Sequence, residues 1–462
     1  MQVDSQTLWF DAAWLPGGWA RDVRLTLADG RITAVEAGAT PHGGEPRHGW
    51  ALPGLPNLHS HAFQRAMAGL AERRGPRRMG PGDDSFWTWR EAMYRFVGQI
   101  TPEDLLAIAA QAQVEMLESG FTRVGEFHYL HHDGDGRAYA DPAQMSASLV
   151  TAAQETGMGL TLLPVLYAHS GFGGQPPSAG QARFITDLDG FSRLLERAKA
   201  HAAALPDAVV GVAPHSLRAV TLDQLRHVPS LAGQAPIHIH VAEQVREVDD
   251  CLAWSGQRPV ELLLDRAPVD DRWCLVHATH ITPAETLALA RSGAVAGLCP
   301  ITEANLGDGL FPATDFIGAG GRIGVGSDSN VRIDAAEELR LLEYGQRLAH
   351  RARAVLASVA GSSTGEALLA ACLSGGNQAL GQQGAGAIEV GRVADFITLD
   401  RSHPALAGHG PDSAVDAWVF SGGSTLIDGV WRRGRQVVSH GRHHAREAIA
   451  CRFAAVMRRL LD

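Results

Sequence analysis

At 462 residues, with forty basic against fifty acidic side chains and a net charge of −10, the chain has room for a large catalytic domain and an accessory one, and carries the wrong sign for a nucleic-acid binder. Five cysteines (Cys251, Cys274, Cys299, Cys372, Cys451) include no Cys-x-x-Cys, which excludes a disulfide scaffold and reads as five buried, inert thiols in a reduced, cytoplasmic protein. The start "MQVDSQTLWFDAAWLPGG" has no basic segment ahead of an apolar run, and no apolar stretch reaches roughly eighteen residues, so neither an export signal nor a membrane span is expected.

The first fifty residues alternate apolar and polar positions around turns, as in "VRLTLADGRITAVEAG". From residue 51 onward, short apolar runs alternate with helical patterns. The runs are "LPGLPNLHSH", "FTRVGEFH", "GLTLLPVLYAH", "AVVGVAPHS", "APIHIHVAE", "WCLVHATH", "AVAGLCPITE" and "RIGVGSDSN". Two intervening helices are well punctuated. One has Thr101 as N-cap, Pro102, Asp104 and a Gly120 stop; the other repeats this with Thr282, Pro283, Glu285 and Gly293. Residues 335–380 are helical in pattern. "GRVADFITLD" and "STLIDGVWRRGRQVVSHGR" resemble the amino-terminal alternation, and "REAIACRFAAVMRRLLD" forms a last helix.

Strands that are apolar throughout and alternate with helices imply a parallel sheet covered by helices, and eight repeats imply a closed (β/α)8 barrel of the TIM type, an α/β fold. An open doubly wound sheet is the alternative, weakened because no Gly-x-Gly-x-x-Gly follows the first strand. The expected division is 51–383 for the barrel, 1–50 and 384–440 for the two halves of a small β-sandwich domain, and 441–462 for the terminal helix.

In such a barrel the catalytic groups sit at the carboxyl ends of the strands. Residues i and i+2 of a strand share a face, so His59 and His61 aim into one space at the end of strand one. His215 ends strand four, His240 strand five, His277 strand six and Asp328 strand eight. Three imidazoles plus a carboxylate are what a catalytic zinc or similar divalent ion takes, which assigns His59, His61, His240 and Asp328 as ligands. His238 lies deeper on the same strand face as His240 and reads as packing. His131, His132, His440, His443 and His444 read as loop or surface residues.

This pattern resembles the amidohydrolase superfamily, whose barrels carry His-x-His on strand one, histidines on strands five and six and an aspartate on strand eight. Many members bridge two metals with a carboxylated lysine at the end of strand four. Here the sole lysine, Lys199, lies in a helical stretch, so one metal follows unless Glu126 at the end of strand two bridges a second. "HVAE" matches the His-x-x-Glu of the mononuclear deaminating members, which makes Glu243 the acid that protonates a leaving nitrogen; a helix-start glutamate is the plainer reading. Hydrolysis of a C=N bond fits the set. Asp328 or His277 takes the proton from the attacking water, and His277 is also suited to holding the developing oxyanion.

After strand one comes a segment about forty residues long, enough for a lid. It carries Arg90 beside Trp87 and Trp89, and the run Arg73, Arg74, Arg77 and Arg78, which reads as solvated charge. With Tyr129, His215 and Arg218 at the ends of strands two and four, the site has arginine forks of the kind that grip carboxylates.

A closer resemblance is carried by "LPGLPNLHSHAFQRAMAGLAE", "DSFWTWRE", "EFHYLHHD", "LLPVLYAHSGFGGQPP", "HSLRAVT", "EVDDCLAWSG", "RWCLVHATH", "TEANLGDGLFPATDF" and "GSDS" together, and it runs through nearly the whole chain. It is to the N-formimino-L-glutamate deiminases of bacterial histidine degradation. The resemblance implies zinc on His59, His61, His240 and Asp328; Glu243 and His277 as catalytic; and Gln64, Arg90, Tyr129, His215 and Arg218 around a substrate with two carboxylates. It also implies a homodimer. Iron suits the same ligands, and which arginine takes which carboxylate stays open. The chain departs from the pattern in the arginine-rich "RRGPRRMGPG" and in Asn330 after Ser329. The rival activity is deamination of a purine, pyrimidine or triazine ring on the same barrel. A catalytically dead scaffold is the rival of another class, and it usually lacks ligands that are all present here.

Overall fold

The computed structural model describes residues 5–72, 86–357 and 359–462. All eight apolar runs form strands: Leu55–Ser60, Phe121–His128, Gly159–Leu166, a fourth in two pieces (Val209–Val210 and Ala213–Pro214), Ile237–Val241, Trp273–His277, Val295–Leu298 and Arg322–Val325. Strands one to four pair in parallel order, as do five to eight. Two seams close the ring. Val212 bridges Ile237 and Ser216 bridges His240 between strands four and five, and Ser60 bridges Asp328 between strands eight and one. At the second seam Asp328 donates to the His59 carbonyl and His61 to the Asp328 carbonyl, both at 2.9 Å. Residues expected as metal ligands are therefore also the ones that close the barrel.

The strands are almost wholly buried, which accounts for their unbroken apolar character. Leu58, Cys274, Val276, Val295 and Cys299 pack inside with Ala379 and Leu380, at the end of the helix Thr364–Ala379, which stops the barrel floor. That helix reaches strand eight through Gly375, where a Cβ would collide with the Ile323 carbonyl. The helix Pro102–Ser119 has the reciprocal Thr101–Asp104 cap and a left-handed Gly120, and Pro283–Ser292 has the matching Thr282–Glu285 cap and Gly293. The terminal helix, Arg446–Leu461, runs antiparallel along Pro102–Ser119, with Arg459 paired to Asp104 and Arg446 to Glu118. No helix among the described residues is long and apolar enough to cross a membrane.

Both chain ends enter one sheet of eight strands among the described residues, with Gln6–Leu15 and Arg47–Pro53 at its centre beside Phe396–Leu399. Successive residues serve its two faces. Phe10, Ala51, Phe396 and Trp431 belong to the small domain's own core, whereas Trp50, Leu52, Ile397 and Val430 pack into the core shared with the barrel. The chain between Leu399 and Ile427 makes short helical turns that bury Trp418 and Val419 in the shared core.

Some local expectations change. Cys451 is exposed on the terminal helix, unlike the other four cysteines. His131 and His443 are buried, because their Nε2 atoms reach the Val165 and Thr156 carbonyls at 2.8 Å. The seventh apolar run stops as a strand at Leu298, and Pro300 starts the helix Pro300–Leu306, which carries Glu303.

Candidate functional site

His59, His61, His240 and Asp328 converge. Each offers one ligand atom, and these atoms lie within 4.8 Å of one another. His59 Nε2 is 3.2 Å from His61 Nε2 and 3.0 Å from His240 Nε2, and Asp328 Oδ1 is 3.4 and 3.2 Å from His59 and His61. Hydrogen bonds on the far sides of two rings decide the tautomers. His61 Nδ1 meets the Phe127 carbonyl at 2.8 Å and His240 Nδ1 the His215 carbonyl at 3.1 Å. A carbonyl only accepts, so both Nδ1 atoms carry hydrogen and both Nε2 atoms present lone pairs. Burial pushes the His59 ring down to about 3 and the His240 ring well below its usual range, which keeps both neutral. Ring nitrogens and a carboxylate oxygen crowded together in a buried pocket fit a divalent cation. Glu126 is not one of the four: it accepts the Ala62 N–H at 2.7 Å and holds the turn after strand one. His238 reaches the Ala379 carbonyl at 2.7 Å, the packing role expected of it.

Around the cluster the backbone is bent at the strand ends. Ala242, His277, Ala278, Asp328 and Asn330 all have positive φ, between 45° and 67°, which non-glycine residues rarely adopt. A polar lock holds the strand-eight bend. Asn57 accepts from the Ser327 N–H and donates to its hydroxyl, Ser327 donates to Asn330 Oδ1 at 2.6 Å, and Asn330 Nδ2 lies within 3.1–3.2 Å of Ser60 Oγ, the His61 carbonyl and the Asp328 carbonyl. Asn330, a departure in sequence, thus serves as a fastener.

His277 Nε2 stands 3.8 Å from Glu243 Oε1 and 3.8 Å from Asp328 Oδ2. Burial first, then the nearby Asp328 and Glu247 carboxylates, push Glu243 up to about 7 against the pull of His277 and Arg218. Burial opposes charge on His277, yet Glu243, Glu303 and Asp328 outweigh it and lift the ring to about 10. The Glu243 N–H donates to Glu247 Oε2 at 3.2 Å, and that oxygen is 3.9 Å from Arg218 Nη2.

One cavity brings the remaining expected residues together. His61, Gln64, Arg90, Tyr129, His215, Arg218, His240, Glu243, His277 and Asp328 all line it. Gln64 Nε2 donates to the Tyr129 hydroxyl at 3.0 Å. Arg90, on the helix Phe86–Val97, lies over the Tyr94 ring, and it and Arg218 both press the buried His215 ring toward neutrality, after desolvation. The run Arg73, Arg74, Arg77 and Arg78 lies outside the described residues. Sequence reasoning missed Tyr94, Tyr167, Phe184, Glu247 and Glu303. The carboxylates carried a usable signal, since each follows a strand end by a few residues, where the barrel rule places functional groups.

An amidohydrolase family model matches residues 50–437, and the model described as "Formimidoylglutamate deiminase HutF, N-terminal domain" matches residues 8–49. The chain is 53% identical to a formimidoylglutamate deiminase of Pseudomonas aeruginosa, across 98% of this chain and 99% of that one. It is 27% identical to an 8-oxoguanine deaminase of the same organism, across 88% and 89% of the two chains. Among solved structures it superposes on an amidohydrolase from Brucella melitensis with a TM-score of 0.94 at 51% identity, covering 99% and 100% of the two chains. An adenosine deaminase from Xanthomonas campestris, solved with bound zinc, shares the fold at a TM-score of 0.82 and 22% identity, over 99% and 98%. The chain therefore belongs to the amidohydrolase family and, within it, to the formimidoylglutamate deiminases.

Proposed function

We propose that this protein hydrolyses the formimino group of N-formimino-L-glutamate, giving N-formyl-L-glutamate and ammonia, with one zinc ion on His59, His61, His240 and Asp328. The observation that carries the reading is the meeting, in one cavity, of this ligand set, the Glu243–His277 pair and two guanidinium groups, Arg90 and Arg218. A divalent ion there supplies Lewis acidity and makes water nucleophilic near neutral pH. His277 Nε2, set between Glu243 and Asp328, is placed to donate to the developing oxyanion, which leaves proton acceptance to Asp328. Glu243, near 7, holds a proton it can release to the departing nitrogen. Arg90 and Arg218 are forks suited to the two carboxylates, and Gln64 and Tyr129 brace each other beside His61.

Ammonia release from N-formimino-L-glutamate, guanine and cytosine tests the reading; turnover of a ring substrate in preference to the first would replace it. Arg218→Met should lower kcat/KM for N-formimino-L-glutamate by at least about 100-fold, the cost of a buried charged hydrogen-bond pair, with metal content by elemental analysis unchanged. Full turnover by that variant would refute the carboxylate role. The family resemblance supports a homodimer, which sedimentation measures.

A further inference from the structure

His277 faces two ways. Its Nε2 looks into the cavity between Glu243 and Asp328, and its Nδ1 looks away from it, 3.2 Å from Glu303 Oε1. The same oxygen accepts the Cys299 N–H at 2.9 Å, so backbone fixes the acceptor and the ring must conform to it. Glu303 is buried, and its helix begins directly after strand seven, which places the carboxylate behind the ring. Glu303 Oε1 already acts as an acceptor toward the Cys299 N–H, so His277 Nδ1 carries the hydrogen shared with it and Nε2 is the nitrogen offered to the reaction. An imidazole without such a partner can turn over and present a carbon instead. His277 also has a left-handed backbone, with φ 67°, a sparsely populated conformation that surrounding contacts must hold.

We propose that Glu303 is the positioning residue for His277: it holds the ring plane and keeps Nε2 between Glu243 and Asp328. This rests on the reaction assigned above. The competing explanation is that Glu303 only caps its short helix through Cys299, a role that would show in stability and not at the ring.

Three variants separate the two. Glu303→Gln keeps an oxygen able to accept both N–H groups. Glu303→Ala removes it, and Glu303→Asp keeps the charge but draws the oxygen back. On metal-loaded protein, Glu303→Ala and Glu303→Asp should lower kcat for N-formimino-L-glutamate about 10–100-fold with KM and metal content little changed, while Glu303→Gln retains most of kcat. Nitrogen NMR of histidine-labelled protein gives a readout that needs no substrate, with His277→Asn identifying the resonances. The His277 Nδ1–H signal should persist in wild type and Glu303→Gln and be lost or shifted in Glu303→Asp and, where it folds, Glu303→Ala. Ring signals unchanged in Glu303→Asp, or equal kcat losses in Glu303→Gln and Glu303→Asp, would overturn the proposal. Wild-type protein that releases no ammonia would sink the reaction assignment instead, and the ring spectra would still decide the role of Glu303.

Discussion

Asp328 sits in a left-handed conformation that costs a non-glycine residue on the order of 1–3 kcal/mol, and side chains that face away from the cavity hold it there. Asn330 does most of this, through its contacts with Ser60, Ser327 and the two carbonyls of His61 and Asp328. Asn330→Ala should destabilise the fold by about 1–3 kcal/mol in urea titration and weaken metal binding about 10–100-fold by competition with a chelator. Metal affinity equal to wild type would show that Asp328 holds its place unaided. The convergence of the four candidate ligands was legible in sequence because two rules sufficed, the same-face spacing of His59 and His61 and the strand-end placement of His240 and Asp328. Glu303 went unread despite its place near a strand end. It closes the run "AVAGLCPITE", which read as strand throughout, and only the helix start at Pro300 turns its carboxylate toward His277. His131 and His443 were misread for a similar reason: the carbonyls that bury them belong to Val165 and Thr156, which sequence spacing does not bring near.

At the scale of elements, the helix Thr364–Ala379 is the clearest case of a residue type dictated by approach. Gly375 has no room for a Cβ against Ile323, and Gly376 none against Pro56, so the helix lies on the ends of strands eight and one. Gly375→Ala gains helix propensity but must push backbone from backbone. The loss should be about 2–3 kcal/mol, read as a lower urea midpoint, and a midpoint at or above wild type would mean the helix sits further off than its glycines imply. The caps of Pro102–Ser119 and Pro283–Ser292 were readable because capping is local chemistry between residues three apart. The glycine pair was readable only as helix, since what it faces comes from a strand distant in sequence.

Across the whole molecule, a buried charge network joins barrel and small sheet. Asp207 pairs with Arg123 of strand two and with Arg432 of the sheet, and Arg432 also pairs with Asp395. Burial pushes Asp207 up, but the two arginines outweigh it and hold its carboxyl below the ordinary range. A depressed folded-state pKa stabilises above the unfolded value, about 4, and the benefit fades as pH falls through the folded one. Asp207→Asn should therefore cost about 3 kcal/mol at pH 7, with the gap to wild type closing below about pH 4; a gap of the same size in acid would place the effect in packing rather than charge. That the two chain ends share one domain was legible from their matching alternation, whereas the eight-stranded sheet among the described residues, with its parallel pair Gln6–Leu15 and Arg47–Pro53, was not, because pairing order is set by long-range contacts. The strand Arg47–Pro53 leaves this sheet and passes through Gly54, wedged against Thr122, straight into the strand that bears His59. No slack separates them. The amino-terminal sheet is thus the anchorage of a short lead whose other end carries His59, and any graft or trimming of that sheet should be felt where the four candidate ligands meet.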